Sequence, residues 1–362
     1  MVFKQKKIKI NLKSILYHSK VYILFSLKKY MDFKKEYASK KVLITGGLGF
    51  IGSNLAIKLV ESGAKVNIMD AKLKRYGSND FNVQQIKKDI QIDFSDIRDK
   101  KAVLKNVRDK DIIFSLAAQT DYNYSLKKPI LDIDINCKGH LNILEAVRTA
   151  NPNCRIIFPG SRMQYGKIEK KDLPVKEEHP LNPLSVYAIN KVAGENYYRA
   201  YNKHHGLDTL VFRITNPYGP KAQVKHPGYC IVNWFVRQAL EGKDLTVFGK
   251  GEQLRDYLFV DDLINAFLIS GVHLNPKTKV YNVGSGNGTK FIDMVNVIAN
   301  IARKGKIKHV EWPKNYENVE TGGFYADVSR IKNELNWEPS TSLESGLEKT
   351  IEFYRKNLNK YI

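Results

Sequence analysis

A tyrosine and a lysine spaced four residues apart could together remove a proton from an alcohol. Tyr187 and Lys191 lie in the sequence YAINK, and on a helix this spacing places both side chains on one face. A free phenol titrates near ~10 and is a poor base at neutral pH. A cation within a few ångström stabilises the phenolate and lowers its pKa by about 1 to 3 units. We therefore predict that Tyr187 is a general base whose pKa is lowered by Lys191.

Glycines at 46, 49 and 52 follow the apolar run 42–44 in the sequence TGGLGFIG, at the start of a helical pattern. Gly46 could make the tight turn, Gly49 could let the backbone approach a pyrophosphate, and Gly52 could let helix and strand pack closely. The helix N-terminus would face the phosphates with unpaired N–H groups. Asp70 ends a second apolar run 24 residues after Gly46 and could bind both ribose hydroxyls. Because its charge would repel a 2′-phosphate, the pattern predicts NAD rather than NADP.

Ser161 could supply a hydroxyl to the same reaction. It follows the apolar run 155–158, and a doubly wound sheet binds its ligands at the carboxyl ends of its strands. The hydroxyl could donate to a developing alkoxide or carbonyl oxygen. By itself the YxxxK pair is weak evidence, because the chain has 20 tyrosines and an exposed helix face could show the same spacing. Its place after the glycine loop and after Ser161 strengthens the interpretation.

The length and cysteine content of the chain indicate a large protein whose cysteines are reduced thiols. Its 362 residues, 43% of them hydrophobic, can bury a core that divides into two lobes, because single cores stop growing near ~250 to 300 residues. The three cysteines form no CxxC pair, which is typical of reduced thiols in the cytosol. We therefore predict a cytoplasmic protein.

The net charge of +22 does not by itself indicate nucleic-acid binding. Residues 1–40 contain eleven lysines and two acidic residues, and so carry nine of the 22 charges. The remaining net positive charge is distributed along the rest of the chain, where no basic run is interleaved with aromatic residues. Net charge bears on solubility and non-specific binding rather than on fold. A lysine-rich composition is the simpler explanation, and we predict no nucleic-acid partner.

The first forty residues form a basic extension that differs from the rest of the chain. Its apolar stretch 15–27 is interrupted by His18, Ser19 and Lys20, and is too short and broken to span a bilayer. Two interpretations stay open. The segment is either a basic amphipathic element that contacts an anionic membrane or a partner, or an extension upstream of a true start at Met31.

From Lys40 onward, short apolar runs alternate with helical patterns. This alternation predicts βαβ units, and hence a doubly wound α/β fold with a parallel sheet covered on both faces. After Asn216, proline and glycine punctuate the chain more often, which indicates a smaller C-terminal substrate-binding lobe. The predicted strands are 42–44, 66–69, 112–116, 155–158, 209–212 and one within 281–288, and the predicted helices are 54–62, 131–149 and 185–201. The predicted domains are an extension at 1–40, a dinucleotide-binding domain at 41–217 with 256–283, and a substrate lobe at 218–255 and 284–358.

A longer series of motifs resembles the NAD-dependent epimerase/dehydratase family of extended short-chain dehydrogenases/reductases, which includes UDP-glucose 4-epimerase. The resemblance runs from Lys41 to about Tyr354 and implies a Rossmann fold. Beyond the residues above, it rests on Asp96-Ile97, LAAQ at 116–119, Asn136 with Gly139, Gly160-Ser161 with Tyr165-Gly166, RITNPYGP at 213–220, RDY at 255–257, VDD at 260–262 and YNVG at 281–284.

The resemblance implies a role for each matching residue. Asp96 and Ile97 would contact the adenine, and Asn136 would approach the cofactor from its helix. Lys191 would bind the nicotinamide ribose while it tunes Tyr187. The implied cofactor-binding residues are Gly46, Gly49, Phe50, Ile51, Gly52, Asp70, Asp96, Ile97, Leu116, Ala117, Ala118, Gln119, Asn136, Tyr187, Lys191 and Thr215; the catalytic residues are Ser161, Tyr187 and Lys191; and the substrate-binding residues are Ser161, Asn216 and Arg255.

The two residues after Ser161 bear on the reaction that the resemblance implies. Dehydratases of the family have an Asp-Glu pair there, and decarboxylases usually keep the Glu, whereas this chain has Arg162 and Met163. The expected reaction is therefore 4-epimerisation of a nucleotide-sugar, most simply a UDP-sugar, which needs only Tyr187, Ser161 and NAD. Gln119 keeps a 2-epimerase open as an alternative, and a nucleotide-sugar reductase is another.

Two further expectations follow from the resemblance. Family members often carry an arginine that completes the diphosphate site, but the corresponding segment 317–321 reads ENVET. The family also implies a homodimer formed through helices at about 127–148 and 185–204. A non-catalytic NAD-binding protein is the rival class, and the presence of Tyr187, Lys191 and Ser161 argues against it.

Overall fold

Buried apolar runs form the central sheet of the computed structural model, which describes residues 32–273, 279–314 and 321–362. Seven strands, all parallel, lie in the order β3-β2-β1-β4-β5-β6-β11. Near-continuous burial along them is expected, because helices cover both faces of a parallel sheet. The strands of this sheet are β1 Lys41–Thr45, β2 Lys65–Met69, β3 Ile90–Asp93, β4 Ile112–Ser115, β5 Arg155–Ser161, β6 Thr209–Ile214 and β11 Val280–Val283.

The strand order reverses between β1 and β4, and this confirms the predicted doubly wound α/β fold. In a sheet of this kind the crevice outside the strand ends at the reversal binds the ligand. The helices are α1 Phe33–Tyr37, α2 Phe50–Glu61, α3 Lys100–Val107, α4 Tyr122–Lys127, α5 Pro129–Ile133, α6 His140–Ala150, α7 Val186–His205, α8 Ile231–Leu240, α9 Val260–Val272, α10 Phe291–Ala302, α11 Ser329–Leu335 and α12 Leu343–Asn357.

The single helix predicted over 131–149 is interrupted. A π-helical turn, Asp134–Gly139, joins α5 to α6. At its end the backbone lies close to the loop after β3, since a Cβ on Gly139 would be 2.5 Å from Ile97 Cδ1. Such turns are frequent at functional sites, and this one carries Asn136.

The smaller lobe is built from short strands and helices outside the main sheet. β7 pairs with β10, β8 with β13, and β9 with β12. One apolar cluster joins Val42 of the main sheet to Leu245 and Met294 of the lobe, so the two parts share a core and the predicted domain limits stay a prediction. These strands are β7 Asn216–Tyr218, β8 Leu245–Phe248, β9 Leu254–Arg255, β10 Tyr257–Phe259, β12 Thr289–Lys290 and β13 Ile307–Val310.

The folded region begins before the predicted limit at residue 41. Helix α1 buries Tyr37 completely, and the Tyr37 hydroxyl donates to Leu268 O at 2.7 Å. The remainder of the predicted basic extension, residues 1–31, lies outside the described residues, and its membrane or partner contact stays a prediction. Within the described ranges, no helix has the length and apolar character needed to cross a bilayer.

A buried histidine ties β4 to two helices. His140 Nδ1 lies 3.0 Å from Ser115 Oγ and 3.1 Å from the Tyr198 hydroxyl, which itself donates to Ser115 Oγ at 2.8 Å. Complete burial, together with the positive charge of Lys191, lowers the pKa of His140 to about 3. The histidine is therefore neutral in the folded protein at pH 7.

We predict that His140 makes the fold sensitive to acid. Unfolded His140 takes up a proton near pH ~6.5, whereas folded His140 has a pKa of about 3. The free energy of unfolding therefore decreases as the pH is lowered between these values, by up to about 1.4 kcal/mol per pH unit. Urea unfolding at pH 7, 6 and 5 should show a shallower pH slope for His140→Gln. The exposed His204→Gln is the matched control and should keep the wild-type slope. Equal slopes for wild type and His140→Gln would contradict the prediction.

Candidate active site

The glycine loop at the end of β1 forms a cradle that side chains would fill. Gly46 has a φ of +71°, and a Cβ there would lie 2.9 Å from Ala117 Cα. A Cβ on Gly52 would lie 2.4 Å from Gly46 O. Gly49 is the N-cap residue of α2 and offers no side chain to accept from the first N–H groups of the helix. These N–H groups can therefore bind an anion. These features fit the pyrophosphate of a dinucleotide.

Two acidic side chains follow β2 and β3 at the same edge of the sheet. Asp70 accepts the Leu48 N–H at 3.0 Å and the Lys72 N–H at 2.8 Å. Burial raises the pKa of Asp70, and these hydrogen bonds oppose the rise. Burial also raises the pKa of Asp96, but hydrogen bonds from Arg98 outweigh it and hold that pKa below its usual value. Both carboxylates are thus positioned to accept hydrogen bonds from a ribose or a base.

Ser161, Tyr187 and Lys191 meet at the carboxyl end of β5. Ser161 is the last residue of β5, and its Oγ accepts the Met163 N–H at 3.2 Å. Lys191 Nζ donates to Pro159 O at 2.8 Å and lies 5.9 Å from the centre of the Tyr187 ring. A hydrogen bond with Ser161 also acts on the Tyr187 hydroxyl. The helix and the strand therefore bring the three predicted catalytic residues together.

Burial has the largest effect on the pKa values of Tyr187 and Lys191. It raises the pKa of Tyr187 to about 12, although the hydrogen bond with Ser161 and the charge of Arg162 lower it. Burial also lowers the pKa of Lys191 to about 8, against the opposing effect of Asp132. The predicted lowering of the Tyr187 pKa by Lys191 is thus wrong for this structure. The physical reason is that desolvation of the phenolate outweighs its favourable contacts.

These residues line a cavity of about 750 Å³ that runs from the glycine loop into the smaller lobe. Most of the predicted site residues contribute to its wall. They are Gly46, Gly49, Phe50, Ile51, Gly52, Asp70, Asp96, Ile97, Leu116, Ala117, Ala118, Ser161, Tyr187, Lys191, Thr215, Asn216 and Arg255.

Gln119 and Asn136 do not line the cavity, contrary to the prediction that they would contact the cofactor. Both are fully or almost fully buried behind its wall. The Gln119 side chain donates to Asp132 at 2.7 Å, and Asn136 donates to the same carboxylate at 2.9 Å. Asn190, next to Lys191, adds a third amide donor at 2.8 Å. A buried carboxylate attracts donors in this way because leaving it unpaired is costly, and this turns both side chains away from the cavity.

Sequence reasoning missed Asp132 and Gln164. The signal for Asp132 was an acid four residues before Asn136 in an apolar helical segment. Gln164 accepts the Ser161 N–H at 2.7 Å and donates to the buried Glu195 at 2.7 Å. Its signal was the spacing of three from Ser161, which is that of a capping box. Neither residue lines the cavity; Gln164 holds the backbone of the predicted catalytic Ser161, and Asp132 holds Asn190, next to the predicted catalytic Lys191.

Two guanidinium groups and an amide, from Arg162, Arg255 and Asn216, contribute to a polar part of the cavity wall. Arg255 donates to the carbonyl oxygens of Leu254 and Gly322 at 2.9 and 2.6 Å. Asn216 Oδ1 accepts from Arg162 Nε at 3.1 Å, and Asn216 Nδ2 donates to Asp256 O at 3.0 Å. Guanidinium groups suit phosphate oxygens, so this part of the wall can hold the diphosphate of a nucleotide.

The family model described as GDP-mannose 4,6 dehydratase matches residues 43–350. The chain belongs to this family. It is 32% identical to a putative UDP-glucose 4-epimerase of Methanocaldococcus jannaschii, over 87% of this chain and 99% of the relative. A CDP-paratose 2-epimerase of Salmonella typhi is 30% identical over 85% of this chain and 97% of the relative. A dTDP-glucose 4,6-dehydratase of Escherichia coli is 28% identical over 88% and 94%.

Solved structures of UDP-glucose 4-epimerases share the fold. The enzyme of Thermotoga maritima, solved with UDP-glucose, matches with a TM-score of 0.80 at 29% identity, over 88% of this chain and 99% of that chain. The enzyme of Thermus thermophilus, solved with NAD, matches with a TM-score of 0.77 at 26% identity, over 87% and 99%. The chain is therefore an NAD-dependent extended short-chain dehydrogenase/reductase that modifies nucleotide-sugars.

We predict that Asp70 selects NAD over NADP by charge. Asp70→Asn keeps an oxygen that can accept an N–H but removes the charge that would repel a 2′-phosphate. The ratio of the NADP to the NAD dissociation constant, measured by calorimetric titration, should fall about tenfold or more. Asp244→Asn makes the same charge change elsewhere in the cavity wall and should leave the ratio as it is. The role assigned to Asp70 fails if its variant keeps the wild-type ratio.

Proposed function

We propose that the enzyme is a nucleotide-sugar 4-epimerase that acts through a transient 4-keto sugar. The observation that carries this proposal is the composition of the wall around Ser161 and Tyr187. Among the described residues, the acids that line the cavity are Asp70 and Asp96, beyond β2 and β3, and Asp244, just before β8. Arg162 and Met163 occupy the cavity wall directly after Ser161. Proton transfer to the sugar is thus left to Tyr187 and Ser161, which suffices for oxidation and re-reduction of one carbon.

Each residue of the site then has a definite task. Bound NAD would supply a reversible hydride acceptor for the sugar carbon. Tyr187 acts in its phenolate form, which the charge of Arg162 favours against the effect of burial. It removes the proton of the C4 hydroxyl and gives it back, while Ser161 donates a hydrogen bond to the C4 oxygen. Lys191 supplies a buried positive charge beside Tyr187. Arg255 and Asn216 hold the diphosphate. The cavity of about 750 Å³ lets the keto sugar turn over, so that its opposite face is directed at the cofactor.

A 2-epimerase is the second candidate, supported by the 30% identity to the CDP-paratose 2-epimerase. Gln119, which kept this alternative open, lies behind the cavity wall and does not favour it. NMR of the products from UDP-glucose and CDP-paratose separates the two reactions. Inversion at C4 of the UDP-sugar supports the proposal, and inversion at C2 of the CDP-sugar overturns it.

We predict that Tyr187→Phe keeps NAD binding and loses turnover by ~10² or more, because the general base is gone. The same variant should no longer reduce its bound NAD, as measured by the absorbance of the cofactor after a nucleotide-sugar is added. Tyr197→Phe makes the same change on α7 outside the cavity lining and should keep wild-type rates. Undiminished activity of Tyr187→Phe would contradict its assigned role. If UDP-, dTDP-, CDP- and GDP-sugars all left the wild-type cofactor oxidised, the enzymatic proposal would fail.

We also propose a homodimer joined through the helices predicted at about 127–148 and 185–204, which are α5, α6 and α7, together with the adjoining α4. Three large apolar side chains are exposed on these helices: Leu126 at 50%, Ile130 at 67% and Ile189 at 52%. Exposed apolar side chains clustered on neighbouring helices mark an interaction surface. Light scattering should give twice the chain mass for the wild type and a lower mass for Ile189→Glu. Ile362→Glu, at another exposed isoleucine, should stay dimeric, and a monomeric wild type would refute the dimer.

A further inference from the structure

A fully buried carboxylate lies behind the catalytic group, on helix α5. Asp132 has no exposed surface and accepts hydrogen bonds on both of its oxygens. Gln119 Nε2 donates to Oδ2 at 2.7 Å, and Asn136 Nδ2 and Asn190 Nδ2 donate to Oδ1 at 2.9 and 2.8 Å. Donors on both oxygens suit the ionised form of the carboxyl group. The protein interior therefore holds a negative charge at this place.

Backbone contacts fix the direction of two of these amides. Asn136 Oδ1 accepts the Gln119 N–H at 3.2 Å, and Asn136 Nδ2 also donates to Gln119 O at 2.8 Å. Gln119 Oε1 accepts the Asp121 N–H at 2.6 Å. Reversing either amide would break these contacts, because an amide nitrogen cannot accept an N–H. Both side chains are thus held with their amino groups toward Asp132.

The third amide connects the carboxylate to the catalytic helix. Asn190 directly precedes Lys191 on α7, so its hydrogen bond ties α7 to α5. The negative charge of Asp132 acts on Lys191 and also on Tyr187. One carboxylate therefore affects both members of the pair that we assign to proton transfer.

Other titratable groups from the surrounding elements do not supply this charge. Burial raises the pKa of Cys137, on the π-helical turn, to about 11 and so keeps it a thiol, and His140, on α6, is neutral at pH 7. Glu195, one turn after Lys191, is paired with Arg213 at 2.6 Å. The group that faces Tyr187 from beyond β5 is positive, Arg162. A buried cation is costly without an opposite charge nearby, and Asp132 supplies that charge to Lys191.

We propose that Asp132 is a positioning residue of the catalytic group, whose carboxylate keeps Lys191 protonated and, through Asn190, holds α7 against α5. This inference rests on the proposed function, because it takes Tyr187 and Lys191 as the groups that transfer the proton. Asp132 does not line the cavity, so it acts on the reaction only through these residues. Its charge raises the pKa of both, and this common direction distinguishes an electrostatic role from a purely structural one.

The experiment follows the titration of Lys191 by NMR, in NAD-loaded protein labelled with carbon-13 at lysine Cε. Exposed lysines titrate near ~10.4, whereas Lys191 has a pKa of about 8, so its signal stands apart and is assigned by its absence from Lys191→Arg. Asp132→Asn keeps the shape of the side chain and removes its charge, and should lower this midpoint by about 1 pH unit or more. Asp134→Asn is the matched control and should keep the wild-type midpoint, because Asp134 pairs with Lys138 at 2.6 Å.

The pH profile of the reaction gives a second readout. In Asp132→Asn, the profile for reduction of bound NAD by UDP-glucose should move as a whole to lower pH, by about 1 pH unit or more, because both groups of the coupled pair lose the same negative neighbour. A residue that only supported the fold would lower the rate at every pH and leave the profile in place, and that result would overturn the inference.

The outcomes separate this inference from the proposed function. An unchanged Lys191 midpoint in Asp132→Asn overturns the inference and leaves the proposed function standing. If UDP-glucose and the other nucleotide-sugars leave the wild-type cofactor oxidised, the proposed function fails, whereas a lowered midpoint still supports the action of Asp132 on Lys191. Should Asp132→Asn fail to fold, Asp132→Ser, whose hydroxyl can accept from an amide, carries the same expected shift, and an unmoved midpoint is again negative.

Discussion

The buried ammonium of Lys191 constrains the geometry of the whole site. Its Nζ donates to Pro159 O at 2.8 Å, so α7 has to lie against the carboxyl end of β5. Gly194 permits this approach, since a Cβ there would lie 2.7 Å from Phe158 Cζ. A buried cation without partners costs several kcal/mol. Any displacement of the helix that lengthened this bond would therefore be opposed, and Tyr187, one turn earlier, is held in place by the same restraint.

A second layer of polar residues supports this arrangement from behind. Asp132 receives three amide donors and acts on Lys191 through its negative charge, which opposes the loss of the lysine proton. Gln164 holds the Ser161 N–H and is itself held by Glu195, which forms a buried ion pair with Arg213 at 2.6 Å. Fully bonded buried networks of this kind fix one geometry. These networks thus hold the cavity wall in place around Ser161, Tyr187 and Lys191.

The sequence predicted the sheet well and the side-chain directions less well. The runs 112–116 and 155–158 correspond to β4, which ends at Ser115, and to the start of β5, because continuous burial leaves a strong apolar signal. The π-helical turn at Asp134–Gly139 escaped detection, since one extra residue in a helix barely disturbs its periodicity. Gln119 and Asn136 turn away from the cavity because of Asp132, a partner distant in sequence from Gln119. The high pKa of Tyr187 reflects burial, which spacing alone does not reveal.

The fold fixes the cofactor site, whereas the residue after Ser161 limits the chemistry. An arginine remains protonated in proteins, so Arg162 cannot deliver a proton to a leaving hydroxyl or remove one from a carbon. The positive charge of this guanidinium also lowers the pKa of Tyr187, against the larger effect of burial. The same side chain that excludes acid catalysis at this position therefore stabilises the phenolate form of Tyr187. The absence of a proton donor or acceptor after Ser161 and the lowering of the Tyr187 pKa are thus two consequences of the one positive charge on Arg162.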